Sequence, residues 1–317
     1  MREIVLIDGG MGQELLNRST NQAPRHWSAE YLLTEPDLVR AVHRDYIAAG
    51  ARVITVNTYA ATYTRMAMVQ AEDRVPELQR TACELALRAR DEADASAMVA
   101  VAGCLPPLNG TYRPDRVRAF EVNLAEYRRL AAHQAPYVDL FVCETLSTAD
   151  EARAAATAAT ETGKPVWVSW SLVDAGGRSL RSGESIAHAH RALEGLGVRA
   201  VLANCTAPES ITAAMPELVA TGLPAGGYAN GFVAIPQSFL PGRTREQLSA
   251  REDLGPAAYG AFAMEWVALG ATIVGGCCEV GPAHIAHLRD ALLAAGHALG
   301  SADLATTRAG DAPEVRE

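Results

Sequence analysis

Short apolar runs rich in β-formers alternate with longer helical patterns along most of the chain. Predicted strands are Ile4 to Ile7, Val53 to Val56, Val99 to Ala102, Leu140 to Cys143, Val166 to Trp170, Ala200 to Leu202, Ala225 to Tyr228 and Thr272 to Val274. Predicted helices are Pro36 to Ala49, Leu78 to Ala93, Val117 to Ala135, Ala149 to Thr162, Ile186 to Leu196, Ile211 to Ala220, Ala257 to Leu269 and Ala283 to Leu299. This alternation predicts an α/β fold, a single (β/α)8 TIM barrel.

An open, doubly wound sheet is the competing fold. Such a sheet normally carries a glycine-rich phosphate loop after its first strand, and Asp8-Gly-Gly-Met-Gly12 does not match that pattern. We therefore expect one barrel domain over residues 1–300 and a polar tail over residues 301–317. The stretch from Leu15 to Leu33 is long for a βα loop and is predicted to form a lid.

Charge and hydropathy restrict the partners and the location. The formal net charge is −9, and no concentrated basic face favours nucleic acid or an anionic membrane. No segment has the roughly 20 apolar residues needed to span a bilayer, and the first apolar run is too short for a signal peptide. We expect a cytoplasmic protein with reduced thiols that acts on small molecules, and the oligomeric state is left open.

Three cysteines fall at the ends of two predicted strands. Cys205 lies in Asn-Cys-Thr, and Cys277 and Cys278 follow Gly275-Gly276, which should let the chain leave extended geometry. A disulfide between the neighbours is disfavoured, because adjacent Cα atoms are only ~3.8 Å apart and disulfides usually span ~4.4 to 6.8 Å. Three thiolates could hold one zinc and leave a position open for substrate, although three buried thiols are the alternative.

Polar side chains also follow several of the other predicted strands. In a barrel, the carboxyl ends of the strands form the rim on which active sites are built. Capping of a neighbouring helix is the alternative role for the two carboxylates in this set. The rim residues are Asp8, Asn57, Glu144, Cys205, Asn230, Cys277 and Cys278.

Taken together, these motifs resemble the homocysteine S-methyltransferase family. The similarity runs through Asp8-Gly-Gly-Met-Gly12, residues 50–59, Cys143-Glu-Thr145, Asn204-Cys-Thr206 and Gly275-Gly-Cys-Cys278. It implies that the three cysteines bind Zn²⁺ and that the sulfur of homocysteine takes the fourth position.

The resemblance also assigns roles to other rim residues. It implies that the catalytic carboxylates are Glu144, on the substrate ammonium, and Asp8, which with Gly9 and Gly10 forms the amino-acid-binding turn. Asn57 is predicted to bind substrate. Asn230 is expected to occupy the fourth zinc position before substrate arrives, with a simple Asn-Gly turn as the alternative.

The function predicted from this resemblance is zinc-dependent methyl transfer from a sulfonium donor to homocysteine, giving methionine. S-methylmethionine is the first choice of donor and S-adenosylmethionine the second. A cationic donor would bind over an aromatic face, for which Trp27, Tyr59 and Tyr63 are candidates. The alternatives are another thiol or selenol acceptor, betaine as donor, and a non-catalytic zinc protein.

Overall fold

The computed structural model describes residues 1–21, 27–174, 176–235 and 248–305. Within these ranges, every predicted strand occurs, with boundaries shifted by up to three residues. They are β1 Glu3–Leu6, β2 Val53–Thr55, β3 Ala100–Leu105, β4 Leu140–Leu146, β5 Val166–Trp170, β6 Ala200–Asn204, β7 Ala225–Tyr228 and β8 Ile273–Val274.

All eight strands are parallel and follow one another in order from β2 to β8, and β8 pairs with β1. The ring closes between β1 and β2, where Ile7 bridges Val53 and the Asp8 N–H donates to the Val53 carbonyl at 3.0 Å. The predicted (β/α)8 barrel is confirmed, so the carboxyl ends of all eight strands share one rim.

The helices lie outside the sheet. The sheet separates the apolar residues into an outer layer, packed against the helices, and an inner layer. On β1, Ile4 and Leu6 belong to the large core shared with the helices, whereas Val5 and Ile7 belong to a smaller cluster of strand residues. This period of two places alternate side chains in the barrel interior. The helices are α1 Met11–Arg18, α2 Ser28–Thr34, α3 Pro36–Ala49, α4 Tyr63–Ala67, α5 Val75–Glu92, α6 Phe120–Gln134, α7 Ala149–Thr160, α8 Ile186–Arg191, α9 Pro208–Val219, α10 Pro256–Leu269 and α11 Pro282–Ala294.

The predicted end of the last helix was wrong. The last helix ends at Ala294 rather than Leu299, because Gly296 adopts a left-handed φ of 79° and turns the chain. Ala298–Leu299 then form β9, which pairs with β1. A 3₁₀ turn over Ala302–Ala305 follows, in which Ala302 is buried; residues 306–317 of the predicted tail lie outside the described residues.

The first βα connection was also predicted incorrectly as one long loop. It contains α1 and α2, and residues 22–26 between them lie outside the described part. Where the chain is described, none of its helices is both long and apolar enough to cross a membrane.

His43 on α3 is a fully buried titratable residue in the helical layer. Neither ring nitrogen has a hydrogen-bond partner among the described residues. Burial lowers its pKa from 6.5 to about 3, because the charged imidazolium would lose its hydration. The imidazole therefore stays neutral in the folded protein at pH values where the unfolded chain is protonated.

We predict that His43→Leu reduces the loss of stability in acid. The folded pKa lies below the unfolded one, so His43 favours unfolding as the pH falls below 6.5. Between pH 7 and pH 4, the free energy of unfolding of the parent should fall by about 3 kcal/mol more than that of the variant. Urea unfolding with a chelator present measures this difference, and His188→Leu, at an exposed histidine, is the control. Equal acid losses in parent and His43→Leu would contradict the prediction.

Candidate functional site

The first and last strands of the barrel interlock at the rim through backbone contacts. The Gly276 N–H donates to the Asp8 carbonyl at 2.9 Å, and the Gly10 N–H donates to the Val280 carbonyl at 3.0 Å. A Cβ at Gly10 would lie 2.6 Å from the Cys277 carbonyl oxygen, and one at Gly276 would lie 2.1 Å from a Val280 methyl group. Glycine is required here for close approach, not for the unusual backbone angles that the sequence suggested.

The interlock places Cys277 and Cys278 opposite Cys205 at the end of β6. The three sulfurs all lie within 4.8 Å of one another, and the Cys205 and Cys278 sulfurs are 3.9 Å apart. Four sulfurs at the usual ~2.3 Å from a tetrahedral zinc would be about 3.8 Å apart. All three cysteines are free thiols, so their spacing and chemistry fit zinc and not a disulfide.

Cys205 has a distinctive setting within this cluster. Its φ of 48° lies in the left-handed region, which turns its side chain toward the other two sulfurs. Hydrogen bonds from the thiols of Cys277 and Cys278 lower the pKa of Cys205. The Tyr112 hydroxyl lies 2.8 Å from the Cys205 sulfur, and burial raises the tyrosine pKa, so the phenol is the donor.

The cluster opens into a cavity of about 430 Å³ at the carboxyl end of the barrel. A volume of this size suits one or two small metabolites. The sequence-predicted residues that line it are Asp8, Gly9, Gly10, Trp27, Asn57, Tyr59, Glu144, Cys205, Cys277 and Cys278.

Glu144, within β4, faces this cavity and is held at both carboxylate oxygens. The Cys104 S–H donates to Oε1 at 3.0 Å, and the Asn204 amide approaches Oε2 at 3.4 Å. Burial raises the pKa of Glu144 to about 7. The two groups that hold the carboxylate are uncharged, so a substrate ammonium could act as its counter-ion.

Asp8 is the second buried carboxylate of the cavity. It accepts hydrogen bonds from the Thr55 backbone N–H at 2.7 Å and from the Thr55 hydroxyl at 3.3 Å. Burial raises its pKa to about 8, and the negative charge of Glu144 adds to that rise. Nearby, the Asn57 amide donates to the Ser28 carbonyl at 3.0 Å.

Two predicted roles meet competing contacts. The Gly10 N–H already donates to Val280, as described above, which leaves the neighbouring Gly9 amide for a substrate. The Asn230 Oδ1 accepts the Phe232 N–H at 3.2 Å, as in an Asx turn, and Asn230 is not among the cavity-lining residues. Its role as a zinc ligand stays a prediction.

The predicted aromatic residues differ in their access to a donor. Trp27 and Tyr59 line the cavity, and Tyr63 is not among its lining residues. The Arg65 guanidinium lies 5.0 Å over the Tyr59 ring, and that of Arg129 lies 3.5 Å over the Tyr63 ring, so each ring already faces a cation. Sequence reasoning missed Arg65 and Tyr112, which line the cavity from segments after β2 and β3; no motif singles them out.

Comparison with known proteins identifies the family of this chain. The family model described as homocysteine S-methyltransferase matches residues 5–292. Homocysteine S-methyltransferase of Escherichia coli K12 is 31% identical, with 91% of this chain and 95% of that protein covered. Homocysteine S-methyltransferase 1 of Zea mays is also 31% identical, with 88% and 91% covered.

A solved structure extends the match to three dimensions. The metallated form of the homocysteine methyltransferase MmuM from Escherichia coli superimposes with a TM-score of 0.76 at 30% identity, covering 92% of this chain and 96% of that one. The predicted enzyme class and zinc cofactor are confirmed, and the assignment of Cys205, Cys277 and Cys278 as the zinc ligands stays a prediction that their spacing fits. The chain belongs to the homocysteine S-methyltransferase family.

Proposed function

We propose that this enzyme transfers a methyl group from a sulfonium donor to the sulfur of L-homocysteine, giving methionine, with S-methylmethionine preferred over S-adenosylmethionine. The observation that carries the proposal is the position of the three-thiol cluster and Glu144 on one cavity. A thiol-binding end and an ammonium-binding carboxylate together match the two functional ends of homocysteine.

Cys205, Cys277 and Cys278 would hold the zinc. When bound, the ion would supply Lewis acidity that keeps a coordinating thiol deprotonated at neutral pH. The Tyr112 hydroxyl, by donating to the Cys205 sulfur, would remove some of the excess negative charge of three thiolates. Asn230 remains our proposed occupant of the fourth position before substrate binds.

Glu144, Asp8 and Gly9 would orient the acceptor. The two buried carboxylates gain a positive partner when the ammonium of homocysteine enters, which offsets the desolvation that raises their pKa values. The Gly9 amide would donate to the substrate carboxylate. Asn57 would bind substrate at the cavity wall, where its amide also donates to the Ser28 carbonyl.

The charge change during the reaction favours a sulfonium donor. A bond forms between the homocysteine thiolate and the methyl carbon as the bond from that carbon to the sulfonium sulfur breaks, which leaves two neutral thioethers. Opposite charges disappear in the transition state, and a cavity of low dielectric favours such a step. Trp27 would present its ring to the donor cation.

The wider setting of the enzyme follows from the same chemistry. We propose one catalytic domain over residues 1–300 and a cytoplasmic location, where six free cysteines would stay reduced. Homocysteine and the methyl donor would be its partners.

The first prediction for the site concerns metal content. The purified protein should contain about one zinc per chain, and Cys205→Ala, Cys277→Ala or Cys278→Ala should each remove most of it, because two thiolates hold zinc poorly. Metal analysis by mass spectrometry measures this, and Cys83→Ala, at a buried thiol on α5, is the matched control. A fully loaded Cys205→Ala protein would exclude that residue as a ligand.

The second prediction concerns the acceptor. Glu144→Gln should weaken homocysteine binding by roughly 10- to 100-fold without loss of zinc, because a charge-assisted hydrogen bond to the ammonium is lost. Calorimetric titration of the zinc-loaded proteins measures the affinity. Asp150→Asn, at an exposed carboxylate on α7, is the control and should bind like the parent. If Glu144→Gln also binds like the parent, the ammonium has another partner.

The third prediction tests the donor. With homocysteine present, S-methylmethionine should give methionine without added cobalamin, whereas betaine should give little. Chromatographic detection of methionine from methyl-labelled donors distinguishes them. Turnover with betaine alone, or a strict need for methylcobalamin, would overturn the donor assignment.

A further inference from the structure

Arg65 on α4 presents a fixed positive charge to the cavity. Its Nη2 donates to the Pro107 carbonyl at 3.0 Å and to the Thr111 hydroxyl at 3.1 Å, and the guanidinium lies over the Tyr59 ring. The Tyr59 and Thr111 hydroxyls lie 2.9 Å apart. Three neighbours therefore fix the guanidinium before any substrate binds.

The charge of Arg65 has no carboxylate partner within ion-pair distance among the described residues. Its Nε is buried and has no hydrogen-bond partner in the same set. By contrast, the partly buried Arg118 and Arg181 pair with Glu126 and Asp174 at 2.8 and 3.1 Å. The cavity thus contains a guanidinium with unused hydrogen-bonding capacity.

Glu151 is a buried carboxylate that interacts electrostatically with Arg65. It does not serve as a close counter-ion, because its Oε2 accepts the Ser147 N–H at 2.9 Å and no ion pair joins it to Arg65. Burial also raises the Glu151 pKa to about 7, so the group is only partly ionised at neutral pH. A ligand anion is needed to complete the site.

The shape of the cavity indicates which ligand supplies that anion. The acceptor end is defined by the cysteines, Glu144 and the Asp8 turn. Near Arg65 in the chain, Met66, Met68 and Val69 line the cavity, and Met68 and Val69 are 74% and 39% exposed, which places them at its mouth. Methionine side chains suit the methylene and S-methyl groups of a sulfonium compound.

We propose that Arg65 binds the carboxylate of the methyl donor and selects amino-acid sulfoniums over sulfoniums that lack a carboxylate. This inference rests on the proposed function. Nη2 is occupied by Pro107 and Thr111, so the donors left for that carboxylate are the Nε–H and Nη1 groups, which have no hydrogen-bond partner among the described residues. Their fixed planar arrangement is not reproduced by a single point charge. Arg65 also repels a sulfonium without a carboxylate, so one side chain favours the correct donor and opposes the wrong one.

The test compares two donors that differ only in the carboxylate: S-methylmethionine and (3-aminopropyl)dimethylsulfonium. Arg65→Gln should lower kcat/KM for S-methylmethionine by roughly 10- to 100-fold and leave that for the carboxylate-free donor equal or higher. Arg65→Lys should recover only part of the preference, because an ammonium restores the charge without the planar arrangement of guanidinium donors. Arg129→Gln, which removes an arginine stacked on Tyr63 outside the cavity, should change neither value.

Two acceptors that differ only in the carboxylate show whether Arg65 binds the carboxylate of the donor or that of the acceptor. The ratio of kcat/KM for homocysteine to that for 3-mercaptopropylamine should be the same in the parent and in Arg65→Gln. If instead the acceptor preference is lost and the donor preference is kept, Arg65 binds homocysteine and the inference is overturned. An equal fall for both donors in Arg65→Gln would also overturn it, as a general structural effect.

Binding measurements separate this inference from the proposed reaction. Calorimetric titration of the zinc-loaded parent and Arg65→Gln with each donor needs no turnover, and the preference for S-methylmethionine should fall by a similar factor in the variant. A parent that binds S-methylmethionine through Arg65 but forms no methionine would refute the proposed function and keep the inference. If the parent and Arg65→Gln show the same ratio of affinities for the two donors, the inference is refuted.

Discussion

The close backbone contact between the β1 turn and the segment after β8 determines the geometry of the whole site. Gly10 and Gly276 allow two chain segments to approach at distances that any Cβ would prevent. This contact fixes Asp8 on one side and Cys277 and Cys278 on the other. Because it also joins the two ends of the barrel sequence, the metal site depends on correct closure of the sheet, and an alanine at either glycine would displace ligands as well as backbone.

Burial then controls the electrostatics of the cavity. Asp8 and Glu144 have raised pKa values because burial desolvates both, and the negative charge of Glu144 adds to the rise at Asp8. Such a site binds cationic groups well, since an incoming ammonium replaces the missing counter-charge. Cys104 and Asn204 hold the Glu144 carboxylate in place before substrate arrives, so little ordering is left for the binding step.

The sequence predicted the barrel and the cysteine cluster because both depend on local pattern plus one rule, that the carboxyl ends of parallel strands share a rim. Asp8, Glu144 and Cys205 could be placed in this way. Arg65 and Tyr112 could not, because they lie beyond the strand ends, and their positions depend on how those segments fold over the barrel. Similarly, the packing of Arg65 on Tyr59 is a tertiary contact that neither residue type reveals.

The positions of the charges suggest how binding and catalysis are divided. Methyl transfer removes the positive charge of the donor sulfur but leaves the donor's amino and carboxylate groups unchanged. An interaction with those groups, such as the one proposed for Arg65, is equally strong in the substrate and in the transition state and therefore acts on affinity. The thiolate end, where charge is lost during the reaction, is the part that can distinguish the transition state. Separate groups thus set donor selection and rate, so a change at Arg65 should alter KM for the donor more than kcat.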